Sequence, residues 1–287
     1  MIRSLFGFKS ATSMLAALVV GSVAAVFIPT ARAEDKQPAK PIKALFVCGG
    51  CCHDYAAQKD IITKGISARA NVEWTIAYDP DKTTKHLNPI YENPDWAKGF
   101  DIIVHDECSA DVKDMAMVER ILKPHKDGLP GIVLHCAMHS FRTDGWNNKE
   151  VVNPWMAFTG LQTTAHGPQV PIELMYVEKE NPINKGLADW ATIKEELYNN
   201  IAGKVIETAK PVARGKQTVK GKDGKETTNE TVVVWTNTYN GKAKVFGTTI
   251  GHNNETCSDA KYLDLLTRGL LWSVDKLDDA HLKAVAK

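Results

Sequence analysis

The chain has 287 residues, 44% of them hydrophobic and 24% charged, with a formal net charge of +1. That near-neutral balance gives no electrostatic reason to seek nucleic acid or anionic lipid, so neither is expected as a partner. The length is enough to bury one large core, with or without insertions.

The first residues are not expected to join that core. MIRSLFGFKS carries Arg3 and Lys9 and no acid, an apolar run follows, and Ala31-Arg32-Ala33 fits the small-x-small cleavage rule. Residues 1–33 therefore read as a secretory signal peptide. The apolar run is too short to favour a permanent membrane anchor, and no Cys follows the cleavage site to carry a lipid. The mature chain is expected to be exported, periplasmic or extracellular, with no membrane attachment. Loss of Arg3, Lys9 and Arg32 takes the formal charge from +1 to −2.

After a polar, proline-bearing leader (34–42), KALFVCGG reads as a buried strand closing on two glycines, followed by a helix over 55–69. A strand is expected over 72–78, a buried strand over 101–107, an amphipathic helix over 111–123 and a strand over 131–135. Short apolar runs alternating with amphipathic helices predict a mostly parallel sheet with helices on both faces. The second half is a succession of strands: 171–177, 195–200, 205–215, 231–239 and 242–251. Asn240-Gly241 is a strong hairpin signal between the last two, giving the sheet a C-terminal antiparallel extension. The lysine-rich stretch 216–230 reads as a solvated hairpin tip, and residues 259–277 as a closing amphipathic helix. One domain over 43–277 with a tail of 278–287 is expected.

The chemistry collects where the strands end. In a parallel α/β sheet the loops after the strands' carboxyl ends share one rim, and ligands bind there. Cys51, Cys52, His53 and Asp54 follow the first strand, and Asp106, Glu107 and Cys108 close the third. His135, Cys136 and His139 follow the fourth; His252, Glu255 and Cys257 follow the last. If 136–141 begins a helix, His135 and His139 share a face, the spacing of helical zinc ligands, but no Glu follows His135 to complete a zincin motif. Each imidazole alone reads as structural; together His53, His135, His139 and His252 are the expected ligands of a divalent metal, zinc by preference. Glu196 in KEELYNN is expected as ligand or general base, Tyr198 beside it as a catalytic group, and His135 and His252 as catalytic too, His252 as ligand or proton shuttle. His166, Asp54 and the aromatic face of Trp146 are the expected substrate contacts. No nucleotide cofactor is expected. An exported chain can oxidise its six cysteines, and oxidised rim cysteines are expected, but neighbours such as Cys51 and Cys52 rarely bridge each other.

At VCGGCCHDY, GFDIIVHDE, GIVLHCAMHSF, GLQTTAHGP, NPINKGL, EELY and VFGTTIGHNNET, followed by LLTRGLLW, the chain resembles the ThuA-like family, named for trehalose utilisation. The resemblance spans roughly residues 43–275 and implies a three-layer α/β/α, flavodoxin-like core of the class I glutamine amidotransferase type. It implies a rim pocket at His53, His135, His166, Glu196 and His252, with His139 a weaker match, and a small-molecule sugar as ligand, a disaccharide or an oxidised 3-keto sugar. Amidotransferases place a nucleophilic Cys at the strand-to-helix elbow. Here His135 holds that position and Cys136 the next, and the small flanks of Gly-x-Cys-x-Gly are absent, so a thiol nucleophile is disfavoured. The functions left in view are a metal-dependent hydrolase, lyase or isomerase acting on carbohydrate, and a non-catalytic carbohydrate-binding or partner-docking module.

Overall fold

The computed structural model describes residues 40–278 and 280–283. The segment expected as a signal peptide (1–33), most of the leader and the end of the tail lie outside the described residues. No helix among the described residues is long and apolar enough to cross a membrane.

The first half is built from β1 (Ile42–Gly50), α1 (Tyr55–Ser67), β2 (Val72–Asp79), β3 (Ile102–Cys108), α2 (Met115–Lys126) and β4 (Gly131–Leu134). All four strands are parallel, and they stand in the order β2-β1-β3-β4. A strand inside a parallel sheet is covered on both faces, so it needs a continuous apolar run, and β1 is buried at every position except Lys43. Both helices start where an aspartate can accept from an orphan backbone N–H: Asp54 from Ala57 and Asp114 from Ala116. That cap sets the start of α2 at Met115, four residues later than the 111 read from periodicity alone.

The second half adds α3 (Pro154–Thr159), β5 (His166–Val170), β6 (Glu173–Tyr176), β7 (Trp190–Ala191), β8 (Glu195–Tyr198), β9 (Ala209–Lys220), β10 (Glu226–Tyr239), β11 (Ala243–Thr248), α4 (Asn254–Ser258) and α5 (Ala260–Ser273). The sheet continues from β4 through β11, β10, β9 and β6 to β7, parallel at β4–β11 and antiparallel beyond. Asn240 and Gly241 both take positive φ, 52° and 66°, as the central residues of the tight turn closed by the Lys242 N–H to Tyr239 carbonyl bond between β10 and β11. The lysine-rich stretch forms the exposed end of the β9–β10 hairpin. Strands β5 and β8 stand apart as a two-stranded antiparallel ribbon.

Alternation along β1 divides the core between the two faces of the sheet. Phe46 packs with Ile62 of α1 and Leu266 and Leu270 of α5; Leu45 and Val47 pack with Val118 and Ile121 of α2 and Trp155 and Phe158 of α3. Burying each such side chain contributes about 1.5–3 kcal/mol. The fold is thus the expected three-layer α/β/α sandwich with a mostly parallel sheet. The carboxyl ends of β1, β3, β4 and β11 open on one rim, and the β5–β8 ribbon reaches over it.

Candidate active site on the sheet rim

Three imidazoles from three separate strand ends meet on the rim. His53 follows β1, His135 follows β4 and His252 follows β11. Their ring centroids are 4.6, 4.7 and 5.5 Å apart, and one nitrogen from each lies within 4.8 Å of the others. His135 turns the chain at the end of β4 with φ of 40°, a left-handed elbow that lifts its ring away from the strand. Gly251, at φ 133°, makes room for this approach. A Cβ there would lie 2.7 Å from Tyr262 Oη and 3.6 Å from His135 Cβ, so a larger residue would push the His252 loop off the elbow.

The ribbon adds a carboxylate to the imidazoles. Glu196 Oε2 lies 3.3 Å from His252 Nδ1, 3.6 Å from His135 Nε2 and 3.6 Å from His166 Nδ1. Cross-strand pairing places it: Glu196 faces Gln169, Tyr198 faces His166, and the Gln169 amide donates to Glu196 Oε1 at 3.3 Å. Tyr198 Oη approaches His135 Nε2 at 3.3 Å. A cavity of ≈ 360 Å³ opens over this group, lined among others by His53, His139, His166, Glu196, Tyr198 and His252. That is room for a sugar ring.

Proton positions follow from the partners. His135 Nδ1 contacts the Thr249 carbonyl at 2.6 Å, and a carbonyl oxygen only accepts, so Nδ1 carries the hydrogen. In the neutral ring, Nε2 then presents its lone pair to the cavity, the arrangement in which a backbone carbonyl orients a metal-ligating histidine. His53 Nδ1 is buried with no hydrogen-bond partner among the described residues. Burial first, then the neighbouring His135 and His252, lower the His53 pKa to about 2, so that ring is neutral at any working pH. His252 moves the other way, its pKa raised by the hydrogen bond to Glu196. Burial raises the Glu196 pKa, but the His135 and His252 imidazoles beside it outweigh that and hold the carboxyl well below the usual range. Three imidazoles facing an ionised carboxylate, with His53 Nδ1 buried and unsatisfied, fit a divalent cation.

Not every expected residue joins. His139 is the clearest correction. The segment His135–His139 is a 3₁₀ helix, not an α-helix. At three residues per turn, side chains four apart diverge by about a third of a turn. His139 therefore stacks flat on Tyr198 with centroids 4.4 Å apart, its Nε2 3.4 Å from Thr163 Oγ1, outside the imidazole triad. Trp146 does not line the cavity. Its ring takes the Arg142 guanidinium at 4.4 Å, and Arg142 reaches the cavity in its place. Asp54 caps α1, accepts from Asn254 Nδ2 at 2.9 Å and lines an adjoining cavity of ≈ 470 Å³ that shares His53 and His252. Cys51 and Cys52, expected not to bridge, are joined by a disulfide, with Cys52 at φ 86° turning back beside its neighbour.

One residue of consequence was missed. Glu195 points away from Glu196, as adjacent strand residues must, and is fully buried. Its carboxylate accepts from the backbone N–H of Gly251 (3.4 Å), His252 (3.1 Å) and Asn253 (3.4 Å). Gln58 Nε2 donates to the carbonyls of the same loop, Gly251 at 3.2 Å and His252 at 3.1 Å. The adjoining acids of KEELYNN thus have opposite duties, one facing the cavity and one clamping the loop that delivers His252.

The sequence profile described as ThuA, trehalose utilisation, matches residues 43–273. The chain belongs to the ThuA family. Among solved structures, a ThuA-like protein from Parabacteroides merdae matches with a TM-score of 0.57 at 20% identity, covering 82% of this chain and 90% of that one. A ThuA-like protein from Bacteroides uniformis matches with a TM-score of 0.57 at 15% identity, covering 86% and 98%. A glutamine amidotransferase from Thermotoga maritima matches more loosely, with a TM-score of 0.42 at 10% identity over 83% of this chain and all of that one. A search of curated proteins finds no match. The ThuA assignment covers the whole rim, from β1 to α5, and so takes in every residue of the imidazole–carboxylate group.

Proposed function

We propose that this ThuA protein is an exported enzyme of sugar catabolism, acting on a disaccharide or a 3-keto sugar at the rim cavity, with a divalent ion held by His53, His135 and His252. The observation that carries the reading is the convergence of three imidazoles within 4.8 Å, with His135 Nδ1 committed to the Thr249 carbonyl and His53 Nδ1 buried and unsatisfied. Three imidazole nitrogens with a carboxylate close by are the donor set of a zinc site that keeps a position for substrate or water. The ion would supply a Lewis acid, polarising a sugar carbonyl or hydroxyl oxygen or acidifying a bound water.

The remaining duties belong to the chain's own residues. Glu196, ionised and facing three imidazoles, is placed to accept a proton from substrate or to complete the ligand shell. His166 is more exposed than the triad and stands where substrate enters, 3.6 Å from the same carboxylate oxygen. Tyr198, whose pKa burial raises well above its ordinary value, stays a neutral phenol that donates a hydrogen bond. The family's description, trehalose utilisation, supports the sugar class.

Metal analysis of protein purified without a histidine tag tests the site. One equivalent of zinc or another divalent ion, and loss of thermal stability in chelator, are expected; the absence of both would overturn the metal. A screen of disaccharides and their 3-keto forms for turnover tests the enzyme. Binding without product over long incubation would replace it with a carbohydrate-binding module. Amino-terminal sequencing of the secreted fraction should begin after Ala33.

A further inference from the structure

Beside the imidazoles, four sulfurs line the same cavity, and the function above uses none of them. Cys51 and Cys52 form the disulfide at the end of β1, with Cys52 exposed. Cys108, the last residue of β3, and Cys136, the residue after the elbow, are free and buried. Cys108 Sγ lies 3.3 Å from Cys51 Sγ, and the Cys136 thiol donates to Cys108 Sγ at 2.9 Å. Cys51 has no hydrogen to give, so the first contact sets a thiol sulfur against a disulfide sulfur. The register of the sheet brings this about. β1 and β3 are parallel neighbours with Gly50 opposite Cys108, and β4 on the other side of β3 delivers Cys136. A Cβ at Gly50 would fall 2.2 Å from the Cys108 carbonyl oxygen, so only glycine lets the Cys51 turn come this close.

We propose that Cys51, Cys52, Cys108 and Cys136 form a thiol–disulfide exchange centre that moves one disulfide between the exposed vicinal pair and the buried Cys108–Cys136 pair. The Cys108 thiolate attacks Cys51 Sγ. The Cys51–Cys108 bond forms, the Cys51–Cys52 bond breaks, and Cys52 leaves as a thiolate that takes up the proton Cys108 gave to solvent. The Cys136 thiolate then attacks Cys108 Sγ, forming Cys108–Cys136 and releasing Cys51, which is protonated in turn. Two thiols and one disulfide stand on each side, so the exchange needs no outside oxidant or reductant. The attacking sulfur is favoured as the nucleophile: the Cys136 hydrogen bond and the Arg142 guanidinium lower the Cys108 pKa against the opposing cost of burial. Moving the disulfide inward leaves two thiols on the loop immediately before His53, so the cavity wall carries either a closed vicinal ring or a free dithiol. A small thiol or disulfide entering the cavity would meet Cys52 first.

The test uses the full chain, fully reduced, then given one equivalent of oxidised glutathione. Samples are quenched in acid at intervals, free thiols are alkylated, and linked peptides are mapped by mass spectrometry. The single disulfide is expected to distribute over the Cys51–Cys52, Cys51–Cys108 and Cys108–Cys136 pairings, and Cys136→Ser should accumulate the Cys51–Cys108 link. If that variant does not fold, the time course of the wild-type chain decides, with the Cys51–Cys108 link rising before the Cys108–Cys136 link. A disulfide confined to Cys51–Cys52 at every time would overturn the proposal. So would four thiols that stay reduced and hold a stoichiometric soft metal ion, an outcome that makes the cluster a thiolate metal site. Metal at the imidazoles is read separately, by its loss in His53→Ala, so neither result decides the other.

Discussion

Glu195→Gln is the sharpest test of how the site is built, because it leaves every cavity-facing side chain in place. The wild-type carboxylate accepts from three consecutive backbone N–H groups, of Gly251, His252 and Asn253, in a fully buried setting. Glutamine keeps one acceptor oxygen and turns an NH₂ toward donors, so at least one N–H loses its partner. Hydrogen bonds to a charged group contribute about 1.5–3 kcal/mol each and are not additive, which puts the net loss at roughly 2–4 kcal/mol. For a domain of this size each kcal/mol moves Tm by about 2–4 °C, so a fall of roughly 5–15 °C is expected by differential scanning fluorimetry. The loop released is the one that carries His252. Metal affinity should fall about 10–100-fold, as it does when a group supporting a ligand is removed, and amide exchange at residues 251–253 should accelerate. An unchanged Tm with unaltered exchange at those amides would refute the clamp.

Replacing His53 or His135 with alanine should abolish metal binding by calorimetry, whereas His139→Ala should cost stability through the lost Tyr198 stacking and leave metal affinity within about threefold. Acid should destabilise the fold through two groups. The neutral buried His53 binds fewer protons than the unfolded chain below pH 6.5, and ionised Glu196 binds fewer below 4.5, so urea midpoints should fall as pH drops through each value. His252 acts in the opposite sense. Its raised pKa gives stability that is present below pH 6.5 and fades as pH rises through the folded value, and Glu196→Gln should flatten that limb. Beneath the rim, Glu107 accepts from Tyr91 Oη at 2.7 Å and pairs with His105 Nδ1 at 2.9 Å, all three fully buried. Glu107→Ala should cost about 3–5 kcal/mol in chemical denaturation, with metal content retained.

Much of this was legible in the chain because the strands of a parallel sheet are continuous apolar runs and the unusual residues stand at their ends. The rim positions of His53, His135 and His252 follow from that rule alone. What was not legible depends on local backbone geometry. The His135–His139 spacing reads as one helical face only if the turn is α, and a single 3₁₀ turn moves His139 onto Tyr198. The division of labour between Glu195 and Glu196 needs the pairing of β8 with β5, a ribbon whose first strand, HGPQV, has too little apolar alternation to be recognised. The Cys51–Cys52 bond needs the positive φ of Cys52, which no spacing rule announces.

The elbow shows how one change of residue alters what a fold of this kind can do. A cysteine at a left-handed strand-to-helix turn is presented as a nucleophile. Here the turn is kept, at φ 40°, but it presents an imidazole whose Nδ1–H is committed to the Thr249 carbonyl. That ring has one lone pair, aimed at the cavity, and no hydrogen to deliver there while neutral. It is therefore suited to hold an ion or accept a proton, and less suited to covalent attack. The nearest thiol stands one residue on, at Cys136, and donates to Cys108 Sγ. Placing a thiol at the elbow by His135→Cys should accordingly produce no new acyl-transfer activity. The introduced thiol would face His53 and His252, and an ion held by those imidazoles would take it as a ligand in place of the His135 ring. Rapid modification of such a variant by an electrophilic glutamine analogue would show that the elbow alone, without a dedicated base, is enough.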